Sequence, residues 1–423
     1  MREDVLHYVW KHKKLDVLNL ETTSGATVDL ISVGAHNHNS GPDFFNAQLK
    51  IGGQLWAGNV EIHIKSSDWY AHNHERDKAY DNVILHVVFE HDAEIFRADN
   101  SKIPTLELKP YVSKNIIDTS ISLLSNTGKW INCEADFADV RDFTVSNWLQ
   151  RLYFERLEQK AKFIQDLLKS SNNNWEAVLF RMLAKNFGLK VNGEAFLSVA
   201  SSMDFSIIRK TQSNVQDLEA LLFGQSGLLQ ENKQNFYFKE LFNRYVFLKQ
   251  KFQLDNSGVQ AVQFFRLRPP NFPTIRWSQL ANLYYSQRHL FSKIIEINNV
   301  PDFYRVFSVG TSNFWKTHYT FESESKYSNK KLTKSFTDLL LINTILPIKF
   351  HYAKHSGVKQ VGRVLDLISQ IKPEKNAITS GFNTLKPVTN SAMDSQALIQ
   401  LKNEYCDKNL CLKCAIGNSI LSK

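Results

Sequence analysis

The sequence predicts an α/β N-terminal domain, a mixed sheet flanked by helices, followed by a mainly α-helical region. Two observations carry this expectation. Up to about Cys133 the chain is written in short strands and turns, whereas beyond Asp142 apolar residues recur at helical spacing. Within the first part, NVILHVVFEH at 82–91 is apolar enough to be a strand covered on both faces, which a sheet lying under helices supplies.

The elements follow in order. Residues 2–12 suit a helix with Val5, Tyr8 and Val9 on one side. Strand patterns come next at 26–33, 47–51 and 54–65, and Gly52 with Gly53 joins the last two as a hairpin. A shorter strand is expected at 103–108. The second half opens at 145–168, where Trp148, Leu152, Leu157, Phe163 and Leu167 have roughly helical spacing. Further helices are expected at 174–187, 214–223, 235–253, 278–297, 331–345, 357–371 and 394–405. Three prolines in FFRLRPPNFPTIRW, 264–277, forbid a continuous helix there and predict an ordered, extended connector. The Ser/Asn/Thr-rich stretch 374–393 reads as a loose linker. The expected domains are 1–135, the α/β domain; 136–373, helical; and 374–423, a C-terminal helix and cysteine cluster packing back on the core.

At 423 residues the chain exceeds what one hydrophobic core usually sustains. With 43% hydrophobic and 22% charged residues it has a globular composition, and no stretch approaches the roughly 18 apolar residues of a membrane span. The start, MREDVLHYVWKHKK, lacks the apolar run of a secretory signal, so the expected location is the cytoplasm. A formal net charge of +9 favours phosphate-rich partners, and nucleic acid is the expected one. The chain has no Walker-type phosphate loop, no GxSxG elbow and no HExxH pair, so P-loop NTP hydrolysis, serine acyl transfer and zincin proteolysis find no support.

The chemistry concentrates in GPDFFNAQLKIGGQLWAGNVEIHIKSSDW, 41–69. With a period of two, Asn59, Glu61, His63 and Lys65 share one face of their strand, while Val60, Ile62 and Ile64 share the other. If the 47–51 strand pairs with this one, Asp43 sits beside Glu61, and two hard oxygen ligands converge for Mg²⁺ or Mn²⁺. A metal there would polarise a phosphoryl oxygen, with Lys65 or His63 left to orient or deprotonate the nucleophile. His72, His74, Asp77 and Asp81 follow in DWYAHNHERDKAYDN, and His36 and His38 precede in GAHNHNSGPD, so ligand types crowd the neighbourhood. A bland account stands beside this: a common Pro-Asp turn, a half-exposed strand and a solvated loop.

Pro42–Asp43, a gap of 17 residues, then an acid and a lysine on one strand resembles the PD-(D/E)xK nucleases. The resemblance implies a restriction-endonuclease-like core and a metal-dependent phosphodiesterase acting on nucleic acid. It implies Asp43 and Glu61 as metal ligands, Lys65 as the catalytic amine and His63 as an auxiliary, with Glu3 on the first helix as a further candidate. The chain departs from the pattern in one place: two residues after Glu61 stands His63, and the lysine comes only at Lys65. The alternatives are a non-catalytic module binding nucleic acid or protein, and a metal hydrolase built from His36, His38, His72 and His74, whose imidazoles would favour zinc or iron. Along nearly its whole length the sequence also resembles a bacterial family of unknown function typical of the Bacteroidetes. GPDFFNAQLKI, WAGNVEIHIKSSDW, AYDNVILHVV, WINCE, LRPPNFPTIR and CLKCAIGNSIL carry that likeness.

Of four cysteines, Cys406, Cys411 and Cys414 fall within nine residues, and Cys133 stands just after the expected sheet domain. The spacing is that of metal ligands, and the four would close a zinc site or an iron–sulfur cluster. Reduced, metal-free thiols and a redox-active CxxC are the alternatives. The aromatics Trp69, Trp130, Trp148 and Trp277 read as core or interface residues, and Arg266, Arg268 and Arg276 as structural cations.

Overall fold

In the computed structural model, Trp10, Phe44, Val60, Ile62, Leu85 and Val87 are wholly buried between a helix and a sheet, each contributing roughly 1.5–3 kcal/mol on leaving water. The structure describes residues 2–37, 39–124, 128–230, 233–357 and 361–422. The helix is α1 (Glu3–Lys11). The sheet comprises β1 (Leu20–Glu21), β2 (Thr27–Ser32), β3 (Ala35–His36), β4 (Phe44–Ile51), β5 (Gln54–Lys65), β6 (Val83–Glu90) and β7 (Thr105–Glu107), with α2 (Asp68–Ala71) between β5 and β6. Among the described residues its order is β1-β2-β4-β5-β6-β7, and β3 pairs with β4. Pairings as far as β5 are antiparallel; β5 with β6 and β6 with β7 are parallel. The sheet is therefore mixed, as the sequence suggests.

Local chemistry fixes this sheet. Gly52 and Gly53 both have positive φ, the backbone a tight hairpin between β4 and β5 demands. At Gly58 an added Cβ would meet Ile84 Cγ2 at 2.4 Å and Asn82 O at 2.7 Å, so only glycine lets β6 approach there. β6 is buried over six successive residues, Val83 to Val88, as its continuous apolar run requires.

Beyond the sheet come α3 (Lys114–Leu124) and α4 (Asp142–Ser170). There follow α5 (Trp175–Phe187), α6 (Leu189–Ser201), α7 (Phe205–Thr211), α8 (Val215–Gln225), α9 (Phe236–Phe252), α10 (Pro273–Ser286), α11 (Leu290–Glu296), α12 (Val300–Val306), α13 (Lys334–Leu340) and α14 (Leu346–His355). The last are α15 (Val361–Ser369), α16 (Ala377–Leu385), α17 (Ala392–Gln400) and α18 (Ala415–Ile420). No helix among the described residues is long and apolar enough to cross a membrane.

Several expectations are corrected. The 264–277 connector gives way to α10 at Pro273, which occupies the first helical turn where a missing N–H is harmless. The helix expected at 278–297 is broken by His289, whose φ of 53° is left-handed. The supposed loose linker 374–393 holds α16, because Phe382 is wholly buried against Trp130 and Phe137. Arg276 is structural: it is buried, donates to Asn271 and Gln279, and lies over the Phe336 ring.

The chain forms two compact units. The first comprises Met1–Trp148, Gly381–Val388 and Ile399–Lys423; the second comprises Leu149–Ser380 and Thr389–Leu398. The division between these units falls inside α4, and residues 374–423 are shared between them.

Candidate metal centre

Four elements of the first unit converge on one corner: α1, the start of β4, the middle of β5 and the loop after α2. The β4–β5 pairing aligns Phe44 with Val60, which brings Asp43 beside Glu61. The Asp43 N–H donates to Glu61 Oε2 at 3.1 Å, and the Ile62 N–H donates to Asp43 Oδ2 at 3.0 Å. The two acids expected to meet are therefore placed together. From α1, His7 Nε2 lies 3.2 Å from the same Asp43 oxygen. Glu3, one helical turn earlier, feels His7, Asp43 and His72 electrostatically, and burial raises its pKa.

The imidazoles are gathered more tightly than the acids. His63, His72 and His74 each present a ring nitrogen within 4.8 Å of the others. His63 Nε2 is 3.1 Å from His72 Nδ1 and 3.5 Å from Glu61 Oε1, and His74 Nε2 is 3.3 Å from that same oxygen. A tetrahedron with metal–ligand bonds of roughly 2.0–2.1 Å has edges of about 3.3 Å. Three of the six edges, His63–His72, His63–Glu61 and His74–Glu61, have about this length. His74 is held by stacking on Tyr80 at 3.8 Å between ring centroids, yet its buried Nε2 makes no hydrogen bond.

Behind this set stands His86, wholly buried on β6 and level with Glu61 in the parallel ladder. Its Nε2 is 2.8 Å from His63 Nδ1. A proton on His63 Nδ1 leaves Nε2 as a lone pair facing Glu61 and His72, the arrangement in which an outer partner orients a ligating imidazole. Burial, then the neighbouring imidazoles, pushes His63 down to about 3. Burial likewise lowers His74, and lowers His86 well below the usual range. Burial and then the Asp43 charge push Glu61 well above the usual carboxylate range. For His7, burial works downward, but Asp43, Glu3 and Glu61 prevail and raise it. Neutral imidazoles with inward lone pairs are what a metal requires.

The other predicted residues are distributed differently. Lys65 is a correction: it is exposed, 4.0 Å from Asp92 at the far end of β5, with its N–H on Asp68. Four residues of strand separate it from Glu61 by about 13 Å. Asp77 is exposed, and its carboxylate caps the Ala79 N–H of a 3₁₀ turn. Asp81 is exposed at the end of that turn. His36 stacks on Phe44 next to His7, and His38 lies outside the described residues. Sequence reasoning missed His7 and His86. The signals were a histidine four residues after Glu3 on one helix face, and a lone imidazole inside an otherwise apolar strand.

The cysteines form a second place in this unit. Cys133, Cys406, Cys411 and Cys414 are all free thiols and line one apolar cavity.

A family model described as "Protein of unknown function (DUF2851)" matches residues 3–377. The match takes in α1, the whole sheet and the imidazole cluster, and stops before Cys406. No curated protein and no solved structure matches the chain.

Proposed function

The chain belongs to this family of unknown function, and from the geometry of the site we propose that it is a metal-dependent phosphodiesterase acting on nucleic acid. Its metal site is His63, His72 and His74 with Glu61, and not Asp43 and Glu61 alone. The observation that carries this reading is the group of three imidazole nitrogens that lie within 4.8 Å of one another, with Glu61 Oε1 3.5 and 3.3 Å from two of them. A nitrogen-rich set of this kind suits zinc or iron better than magnesium or manganese, which prefer oxygen.

A bound ion would supply Lewis acidity toward a phosphoryl oxygen and a more acidic water. The protein's own groups supply the rest. His86 holds the His63 tautomer, and Asp43 anchors the β4–β5 corner through the Ile62 N–H. His7, whose pKa its acidic neighbours raise and whose Nε2 lies 3.2 Å from Asp43, is placed beside the site as its general acid. Lys65 has no part in this site, and the place two residues after Glu61 that the nuclease pattern gives to lysine belongs to a ligand, His63. The pairing of Asp43 with Glu61 and the charge of +9 support a phosphodiester substrate among the hydrolysable classes.

The test is cleavage of labelled single- and double-stranded DNA and RNA with Zn²⁺, Mn²⁺ or Mg²⁺, alongside metal binding by calorimetry. Wild type should bind Zn²⁺ in preference to Mg²⁺ and cut, and His74→Ala and Glu61→Gln should lose both. Metal binding without cleavage of any substrate would sink the catalytic reading in favour of a binding module. No metal binding would sink the site itself.

A further inference from the structure

The chain's four cysteines, which the proposed site does not use, meet in one place. Cys133 lies in the turn after Trp130, Cys406 closes a π-helical turn (Leu401–Cys406), Cys411 opens a 3₁₀ turn (Cys411–Lys413) and Cys414 precedes α18. Three of the four are buried and none is in a disulfide. We propose that these four sulfurs hold an iron–sulfur cluster, rather than a single zinc ion, as a clasp on the C-terminal segment.

Three observations point to a cluster. First, the sulfurs are spread apart. Four thiolates on one zinc, at about 2.3 Å each, stand about 3.8 Å from one another. No three of these four lie within 4.8 Å of one another, although three imidazoles of the same unit do. A cluster spaces its thiolates over the corners of an inorganic core and so needs the wider arrangement. Second, all four cysteines line one cavity whose other walls include Leu123, Ile131, Phe137 and Phe382, the apolar shell that keeps water from a cluster. Third, donors already face the sulfurs: Asn132 Nδ2 lies 3.6 Å from Cys411 Sγ, and the N–H groups of Ile416 and Gly417 serve Cys414. Hydrogen bonds to sulfur are one of the protein's levers on such clusters.

The backbone is built for this close approach. At Gly417 a Cβ would meet Cys411 O at 2.2 Å, so glycine is what lets α18 fold over the 3₁₀ turn. Without metal, burial pushes the Cys133 thiol up to about 12 and Cys414 up to about 11; iron displaces those protons on binding. The 3₁₀ turn packs on α1, and Lys14, just beyond that helix, donates to Ser422 at 3.1 Å. The clasp therefore holds the helix that carries Glu3 and His7.

The test is anaerobic purification of the full chain, with assay of iron, acid-labile sulfide and zinc and a visible spectrum. The expected result is iron and sulfide in near-equal amounts, several of each per chain, with a broad visible absorbance bleached by dithionite. Cys133→Ala and Cys406→Ala should lose the iron and retain Zn²⁺ binding at the imidazoles, whereas His74→Ala should do the reverse. One zinc per chain, lost in the cysteine variants, overturns the cluster. Because those variants can misfold, wild type stripped of iron gives a second reading: it should regain iron, sulfide and absorbance on anaerobic reconstitution. Failure to do so also overturns the proposal.

Discussion

His63 shows how one side chain's surroundings decide its chemistry. Buried on β5 between His86 and His72, it is kept neutral by burial and aimed by a hydrogen bond. Removing that bond leaves the ligand present but unaimed, so His86→Gln should weaken metal affinity by about 10- to 100-fold, measured by chelator competition; unchanged affinity would show that His86 orients nothing. Lys65 gives the opposite case. Its ion pair with Asp92 is exposed and long, so Lys65→Ala should leave metal affinity unchanged and shift stability by no more than about 0.5 kcal/mol in urea denaturation. Much of this corner was legible in the sequence. Period-two alternation puts Glu61 and His63 on one face, and the Pro-Asp turn before β4 brings Asp43 to it. The alternation says nothing of distance along the strand, which is why Lys65 reads as a partner and is not one. His7 and His86 come from other elements, and only the sheet register and the docking of α1 deliver them.

Helix termini and interruptions govern the second unit. Lys349 on α14 donates to the carbonyls of Ile294, Ile295 and Ile297 at 3.0, 2.6 and 2.8 Å, closing the C-terminus of α11 with a cation where the helix dipole favours one. Lys349→Met strands three carbonyls, one buried and two half-buried, and should destabilise the protein by roughly 1–3 kcal/mol, read as a lower urea midpoint. Between α13 and α14 a π-helical turn (Leu341–Ile345) frees backbone carbonyls, and Lys160 of α4 donates to Ile342 O and to Asn343 Oδ1. Burial pushes Lys160 down to about 7 from an ordinary 10.5. Between those values the unfolded chain holds more protons, so this group makes stability rise with pH from about 7 towards 10 and leaves it flat below 7. Wild type should therefore gain on Lys160→Met when both are denatured at pH 7 and at pH 9; parallel behaviour would refute the assignment. Strands and long helices here follow from periodicity and Gly52–Gly53. The π turn and α16 do not, because each has partners distant in sequence, Lys160 for the one and Trp130 against Phe382 for the other.

At the scale of the molecule the chain leaves its first unit at Trp148 and returns to it twice, at Gly381–Val388 and Ile399–Lys423. The returning segment buries Leu401, Cys411, Cys414, Ile416, Ile420 and Leu421. A chain ending at 398 loses all of these from one core, and the first unit should then fail to protect its β5 and β6 amides from hydrogen exchange; native protection would show that the sheet stands alone. The clustering of cysteines near 410 is legible in the sequence, but the segment's partners, α1 and the turn at Cys133, are separated from it along the chain by the entire second unit. That order of connection has a consequence for biosynthesis. On a ribosome adding about 5–20 residues per second, the sheet emerges early and waits on the order of tens of seconds for its closing segment. The helical unit is completed first, and during that interval the apolar surface destined for the C-terminal strap is open to chaperones and to other nascent chains.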